Sequence, residues 1–220
     1  MKFTKDEIRK AMLLYAVTDQ MWLKEGEKLA DVVESVLRNG ATFLQIREKD
    51  LEEDAFEAEA ERLKTLCAQH KVPFVVNDSV EIALQCDADG VHVGQSDIKG
   101  RDIRAIIGPD KILGISAGTV EEAVAAEKAG ADYIGVGAVF TTSTKKNASS
   151  MSMELLKEIV AAVSIPVVAI GGISAENMLQ LSGSGVDGVA VVSAIFAAED
   201  PGKATAALLK LAEELVVSHG

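Results

Sequence analysis

Short apolar runs, each closed by a small polar tip, alternate with helix-patterned stretches along the whole chain. The runs occupy residues 13–17, 43–46, 74–76, 91–93, 112–115, 133–136, 167–170 and 189–192. Their tips are Thr18-Asp19, Arg47-Glu48-Lys49, Asn77-Asp78, Gly94-Gln95, Ser116, Gly137 with the Thr/Ser/Lys loop after it, Gly171-Gly172, and Ser193. About eight strand–helix units make the arithmetic of a closed α/β barrel, the (β/α)8 or TIM barrel, whose active site lies at the strand C-termini. The polar tips are therefore expected to face one another across a single mouth. A short helix over residues 6–11 precedes the first run, and no linker or low-complexity tract interrupts the pattern, so residues 1–220 read as a single barrel domain.

A weaker repeat recurs at every second unit. Gly40-Ala41-Thr42-Phe43, Ala88-Asp89-Gly90-Val91, Gly130-Ala131-Asp132-Tyr133 and Gly185-Val186-Asp187-Gly188 each lead into a strand. In three of them a glycine stands where a helix ends, as left-handed C-terminal caps require. Val72-Pro73 and Ile165-Pro166 open intervening strands, where a missing N–H is tolerated. Thr119 with Glu122, and Asp50 with Glu53, have capping-box spacing, and Ser174 is placed to cap a helix after Gly171-Gly172. Leu29, Val32, Val33, Val36 and Leu37 recur on one helical face, as do Leu208, Leu211, Ala212 and Leu215; both stripes are core faces.

Apolar residues make up 48% of the chain, enough for a buried core, and no apolar run approaches the ~20 residues that span a bilayer. The first residues are charged rather than signal-like. Cys67 and Cys86 lack metal-ligand spacing and fit reduced, packing thiols in a cytoplasmic protein. The net charge of −12 argues against a nucleic-acid or anionic-membrane surface. It also means that the phosphate-like loop tips must hold anions by local means, through backbone N–H groups and a few placed Lys and Arg side chains.

Among the tips, Gly171-Gly172 at the end of the seventh strand and Ser193 at the end of the eighth occupy the usual phosphate position of such barrels. Asp78 and Asp97, on adjacent loops, are candidate Mg²⁺ ligands, because Mg²⁺ takes one or two carboxylates and completes its octahedron with water and substrate phosphate. Each aspartate also suits a helix cap, and taken singly the two readings are even. Alternation along the second strand sends Gln45, Arg47 and Lys49 to one side, where three long polar side chains suit a diphosphate or a polar heterocycle. The loop from Thr141 through Lys145 to Asn147 is rich in hydroxyls and positive charge and long enough to close over a second anion. His92, between two valines, reads as a satisfied core residue rather than an acid–base group, and no nucleophile–base pair points to covalent catalysis.

With these tips assembled, the chain resembles the thiamine-phosphate synthase (thiamine-phosphate pyrophosphorylase) family from Tyr15-Ala16-Val17-Thr18-Asp19 to Ser193-Ala194-Ile195. The specific pieces are Gln45-Ile46-Arg47-Glu48-Lys49, Val76-Asn77-Asp78, Gly90-Val91-His92-Val93-Gly94-Gln95, Gly114-Ile115-Ser116, Thr142-Ser143-Thr144-Lys145, Ala169-Ile170-Gly171-Gly172-Ile173 and Val192-Ser193, in that order. The resemblance implies a transferase in which a hydroxymethylpyrimidine diphosphate alkylates the nitrogen of a thiazole phosphate, releasing diphosphate and giving thiamine phosphate. It implies that Gln45, Ile46, Arg47, Glu48, Lys49, Asn77, Ser116 and Lys145 hold the pyrimidine diphosphate. Thr142, Ser143, Thr144, Gly172, Val192 and Ser193 would hold the thiazole phosphate, and Asp78 and Asp97 would hold Mg²⁺. Lys145, Ser116 and Arg47 become the catalytic candidates, with small molecules as the only expected partners.

Two departures accompany the match. Thr141 stands where the family commonly has proline, which bears on how the following loop holds the thiazole. Gly118 stands where the family often has histidine, and this weighs against a thiazole tautomerase, a related barrel understood to use a histidine in this region. A sugar-phosphate epimerase needs several metal-binding histidines at strand ends, and only His92 is available. A non-catalytic thiamine-phosphate-binding protein has no need of a metal clamp, whereas both aspartates and Lys145 are retained.

Overall fold

The computed structural model describes residues 3–48, 51–141 and 151–217. Eight parallel strands, β1 (Leu14–Val17), β2 (Phe43–Ile46), β3 (Phe74–Asn77), β4 (Gly90–Val93), β5 (Ile112–Ala117), β6 (Tyr133–Val136), β7 (Val167–Ile170) and β8 (Gly188–Val191), close in sequence order into a barrel. Closure is made by β1 against β8, with Tyr15 level with Ala190. The strands begin and end within two residues of the apolar runs, as expected where strand termini coincide with turn chemistry. The helices are α1 (Lys5–Ala11), α2 (Leu29–Arg38), α3 (Glu53–His70), α4 (Val80–Gln85), α5 (Ile103–Ile107), α6 (Val120–Lys128), α7 (Met153–Ala162), α8 (Ser193–Phe196) and α9 (Pro201–Val217). None of them, among the described residues, is long and apolar enough to cross a membrane.

The every-second-unit repeat has a structural cause. Ahead of β2, β4, β6 and β8, the polar residue of each repeat accepts a backbone N–H at the start of the preceding strand. Thr42 Oγ1 takes Leu14 N–H, Asp89 Oδ2 takes Phe74 N–H, Asp132 Oδ2 takes Leu113 N–H and Asp187 Oδ2 takes Val167 N–H, at 2.8–3.0 Å. A strand's first N–H lies below the closed ladder and needs a partner. Asp87 supplies the left-handed position in the one repeat that lacks a glycine at the helix end, with φ 50.

Two helix starts differ from expectation. At α3 the N-cap is Glu52 without a side-chain cap bond, so Glu53 is the first helical residue and not the third; Asp50 lies outside the described residues. After β7 no α-helix forms. Asn177 instead holds Ser174 N–H and Gly172 O in a tight turn, which leads to a 3₁₀ segment at Met178–Leu181. Gly183 and Gly185, both at positive φ, end the segment before a helix could lengthen. At α6, Thr119 caps Glu122 N–H as expected, while the Glu122 carboxylate reaches Gly118 N–H instead of the Thr119 amide.

Strand alternation divides the core in two. One set of side chains, including Leu44, Ile46, Val76, Val91, Ile134 and Val189, packs outward under the helices with the α2 and α9 stripes. The other faces the barrel axis: Tyr15, Val17, Phe43, Val75, Ile112, Tyr133, Val168 and Ala190. Ile8 and Met12, fully buried, join this inner set and stopper the N-terminal end of the barrel. Cys67 and Cys86 are unpaired and buried, and burial pushes both thiols up from their ordinary values.

Candidate active site

At the opposite, C-terminal end the same inward positions turn polar. Two residues beyond Phe43 stands Gln45, then Arg47; two beyond Val75 stands Asn77; four beyond Ile112 stands Ser116. These side chains, with His92, Gly172, Val192 and Ser193, line one cavity in the barrel mouth. The structure thus brings tips from β2, β3, β4, β5, β7 and β8 to one basin, as barrel topology requires.

The candidates on the second strand divide. Gln45 is buried, and its Nε2 donates to the Tyr15 hydroxyl at 2.5 Å. Arg47 lines the cavity with its guanidinium 3.9 Å from Asp19. It is the one Lys or Arg among the described residues that line it. Ile46 and Glu48, grouped with them by the resemblance, point elsewhere. Ile46 is fully buried in the outer core, because alternation turns it away from Gln45. Glu48 is only 5% exposed and acts as a brace, accepting from Thr18 Oγ1 at 2.5 Å and from Gln20 N–H at 3.0 Å. Thr18 Oγ1 in turn accepts Arg47 N–H at 3.0 Å, so this brace holds the Arg47 backbone against the end of β1. Burial pushes the Glu48 carboxyl up from its ordinary value, against the hydrogen bonds that pull it down. Lys49, Thr142, Ser143, Thr144 and Lys145 lie outside the described residues.

Asp78 and Asp97 follow the neighbouring strands β3 and β4, and neither is among the residues that line the cavity. Asp78 is exposed, sits in the left-handed region at φ 62, and its N–H donates to His92 O at 2.8 Å. That backbone bond ties the aspartate to the neighbouring strand. Asp97 is half-buried and accepts Gly94 N–H on Oδ2 at 2.8 Å. Among the described residues no three His, Cys, Asp or Glu side chains gather into a metal cage. Mg²⁺ itself asks a protein for only one or two carboxylates and leaves most positions to water and phosphate.

Gly171 and Gly172 are required by packing as well as by any ligand. Both have positive φ, and a Cβ on Gly172 would lie 2.5 Å from Thr141 O, while one on Gly171 would lie 2.6 Å from Ala138 Cβ. The segment after β6 thus docks on the Gly-Gly turn, through Phe140 N–H to Gly171 O at 3.0 Å. This brings Thr141, the residue in place of proline, against the side of the basin that Gly172 occupies.

Sequence reasoning missed the floor of the cavity. His92 is satisfied, as its setting between valines implies, yet its ring lies in the cavity wall between Tyr133 and Ser116. Tyr15 and Tyr133 meet hydroxyl to hydroxyl at 2.8 Å. Desolvation pushes both phenols well above the ordinary tyrosine value, so both are protonated. The available signal was glycine: a Cβ on Gly114 would sit 2.3 Å from Tyr133 Cζ and 2.5 Å from His92 Nδ1.

The family model for thiamine monophosphate synthase matches residues 14–195. A thiamine-phosphate synthase of Ruminiclostridium cellulolyticum is 50% identical over 198 residues, covering 90% of this chain and 94% of the relative. One from Methanobrevibacter smithii is 48% identical over 197 residues, covering 90% and 93%. The solved thiamine phosphate pyrophosphorylase of Pyrococcus furiosus superposes with a TM-score of 0.85 at 40% identity, covering 94% of this chain and 98% of its own.

Proposed function

Since this chain belongs to the thiamine monophosphate synthase family, we propose that its barrel mouth carries out the family's coupling with the division of labour that follows. The enzyme is a transferase that forms thiamine phosphate from small-molecule substrates. The bond between the pyrimidine methylene and the diphosphate oxygen breaks, diphosphate keeps the electron pair, and the thiazole nitrogen bonds the methylene carbon. No nucleophilic side chain is needed; the protein's task is to bind, align and shield.

In this reading Gln45, Arg47, Asn77 and Ser116 hold the pyrimidine diphosphate along the β2–β5 side of the basin. Lys49 and Lys145 add the charge that a diphosphate needs, which a single described arginine does not supply. Gly172, Val192 and Ser193 take the thiazole phosphate on the β7–β8 side, with Thr142, Ser143 and Thr144 as its further ligands. Ile46 and Glu48 serve by shaping the strand that presents Arg47. Asp78 and Asp97 would hold Mg²⁺, which when bound supplies charge neutralisation for the departing diphosphate. A cytoplasmic location belongs to the same reading and is supported by two unpaired, buried cysteines.

The observation that carries the proposal is the meeting of six strand tips in one basin, with potential anion ligands on two sides of it. The test is to mix both phosphorylated substrates with Mg²⁺ and follow diphosphate and thiamine phosphate together. Stoichiometric appearance of the two supports coupling. Diphosphate without thiamine phosphate would make the protein a hydrolase under those conditions, and no release at all would favour the non-catalytic binding reading.

A further inference from the structure

Five side chains form a hydrogen-bonded chain across the barrel axis beneath the cavity. Gln45 Nε2 donates to Tyr15 Oη at 2.5 Å, Tyr15 and Tyr133 share a bond of 2.8 Å, Tyr133 Oη meets His92 Nδ1 at 3.0 Å, and His92 Nε2 meets Ser116 Oγ at 3.0 Å. The chain begins and ends on residues that line the mouth, Gln45 on β2 and Ser116 on β5. Its central junction is built by omission: Gly114, level with both His92 and Tyr133 in the sheet, has no Cβ where those two groups meet.

The direction of such a chain follows from counting protons. A phenol has one hydrogen, and an amide nitrogen only donates. Tyr15 accepts from Gln45, and Tyr133 Oη is the one acceptor in the chain that its own hydrogen meets, so that hydrogen goes to Tyr133. Tyr133, having accepted, gives its hydrogen to His92 Nδ1. That nitrogen must then be bare, the ring proton is on Nε2, and Nε2–H donates to Ser116 Oγ. Ser116 Oγ has been supplied with a donor, and its own O–H is left for an acceptor in the cavity.

We propose that His92 is a positioning residue that, through the Gln45–Tyr15–Tyr133–His92 chain, makes Ser116 a hydrogen-bond donor to the acceptor atoms of the pyrimidine diphosphate. This deepens the functional reading and rests on its placement of Ser116 on the pyrimidine side. Without the chain, the serine hydrogen turns to the nearest protein acceptor, the bare ring nitrogen of the other tautomer, and the ligand meets an oxygen lone pair instead.

The test reads the tautomer first, with no substrate present. Protein labelled with ¹⁵N-histidine, at neutral pH, is expected to show for His92 a pyridine-type Nδ1 and a pyrrole-type Nε2; the chain has only three histidines, and the His92→Gln spectrum assigns the signal. A pyrrole-type Nδ1, or an imidazolium, overturns the proposed polarity. Tyr133→Phe removes the donor to Nδ1, so a mixture of tautomers is expected, and an unchanged spectrum overturns the chain as its cause. Kinetics then test the consequence. His92→Leu should raise the KM for the pyrimidine diphosphate roughly 10-fold, the loss of one hydrogen bond to a charged ligand, and leave the thiazole phosphate KM within about twofold. His92→Gln, which keeps an N–H near the Nε2 position, should recover most of the loss, and it serves as the readout if the leucine variant does not fold. An equal rise in both KM values overturns the assignment. The expected tautomer with no kinetic change in any variant removes Ser116 from the pyrimidine site while leaving the chain's polarity intact, so the two failures are distinguishable.

Discussion

The two ends of the barrel interior are lined by the same eight strands and the same two-residue alternation, yet they are chemically opposed. At the N-terminal end Phe43, Val75, Ile112 and Val168 meet Ile8 of α1 and Met12 just after it, all at most 1% exposed. At the C-terminal end the inward positions two or four residues further on are Gln45, Asn77, Ser116 and Gly172, facing a cavity. The closed end is stabilised by apolar surface removed from water, which needs no ligand. The open end holds polar groups whose partners are each other or a bound substrate. The comparison teaches that this barrel keeps stability and chemistry about one strand length apart, so each can be altered with little effect on the other.

The largest effect that separates the ends is in the plug. Met12→Ala should cost about 2–5 kcal/mol of stability by chemical unfolding, with turnover per folded molecule nearly unchanged. A matching fall in turnover would mean that the plug positions the site. At the mouth the balance should invert: Asp78→Ala or Asp97→Ala is expected to lower Mg²⁺-dependent turnover roughly 100-fold, with a stability cost of no more than about 2 kcal/mol, the Asp97 bond to Gly94 N–H included. Full activity of the unaltered enzyme without any divalent ion would end the metal assignment. Gly172→Ala tests the border between the two regimes. With φ 68 and a Cβ 2.5 Å from Thr141 O, it should cost about 1–3 kcal/mol and also raise the thiazole phosphate KM. Loss of stability without the KM change would make the glycine purely structural.

The smallest expected effect concerns Glu48. Its carboxyl is held above the ordinary value by burial, so the folded state binds its proton more tightly than the unfolded state does. The sign follows from that: its contribution to stability is fully present below the ordinary glutamate pKa and is lost as pH rises through the raised one. Unfolding titrations of Glu48→Gln against the parent should show the parent losing stability relative to the variant across that window. A parent that gains on the variant as pH rises would put the shift in the opposite direction.

Most of the frame was legible because it is local. Apolar runs of strand length, Pro73 and Pro166 at strand starts and Gly40, Gly130 and Gly185 at helix ends each follow from backbone chemistry within a few residues. Alternation correctly sent Gln45 and Arg47 together and also predicts that Ile46 faces away, although motif resemblance had grouped it with them. Glu48 was not legible as a brace, since its partners Thr18 and Gln20 come from another strand's tip. His92 shows the limit most clearly. Its neighbours in sequence are valines, and its neighbours in space are Tyr133 and Ser116, 41 and 24 residues away.

The sequence alone determined the (β/α)8 order, the end of the barrel where chemistry would gather and several of the residues that line it, because strand period, turn chemistry and connection rules act over short stretches of chain. Only the tertiary structure decided which side chains share a proton path across the axis, and why Gly114 and Gly172 must be glycine. Those outcomes depend on distances between residues that closure of the sheet brings together, and closure depends on the packing of the whole chain.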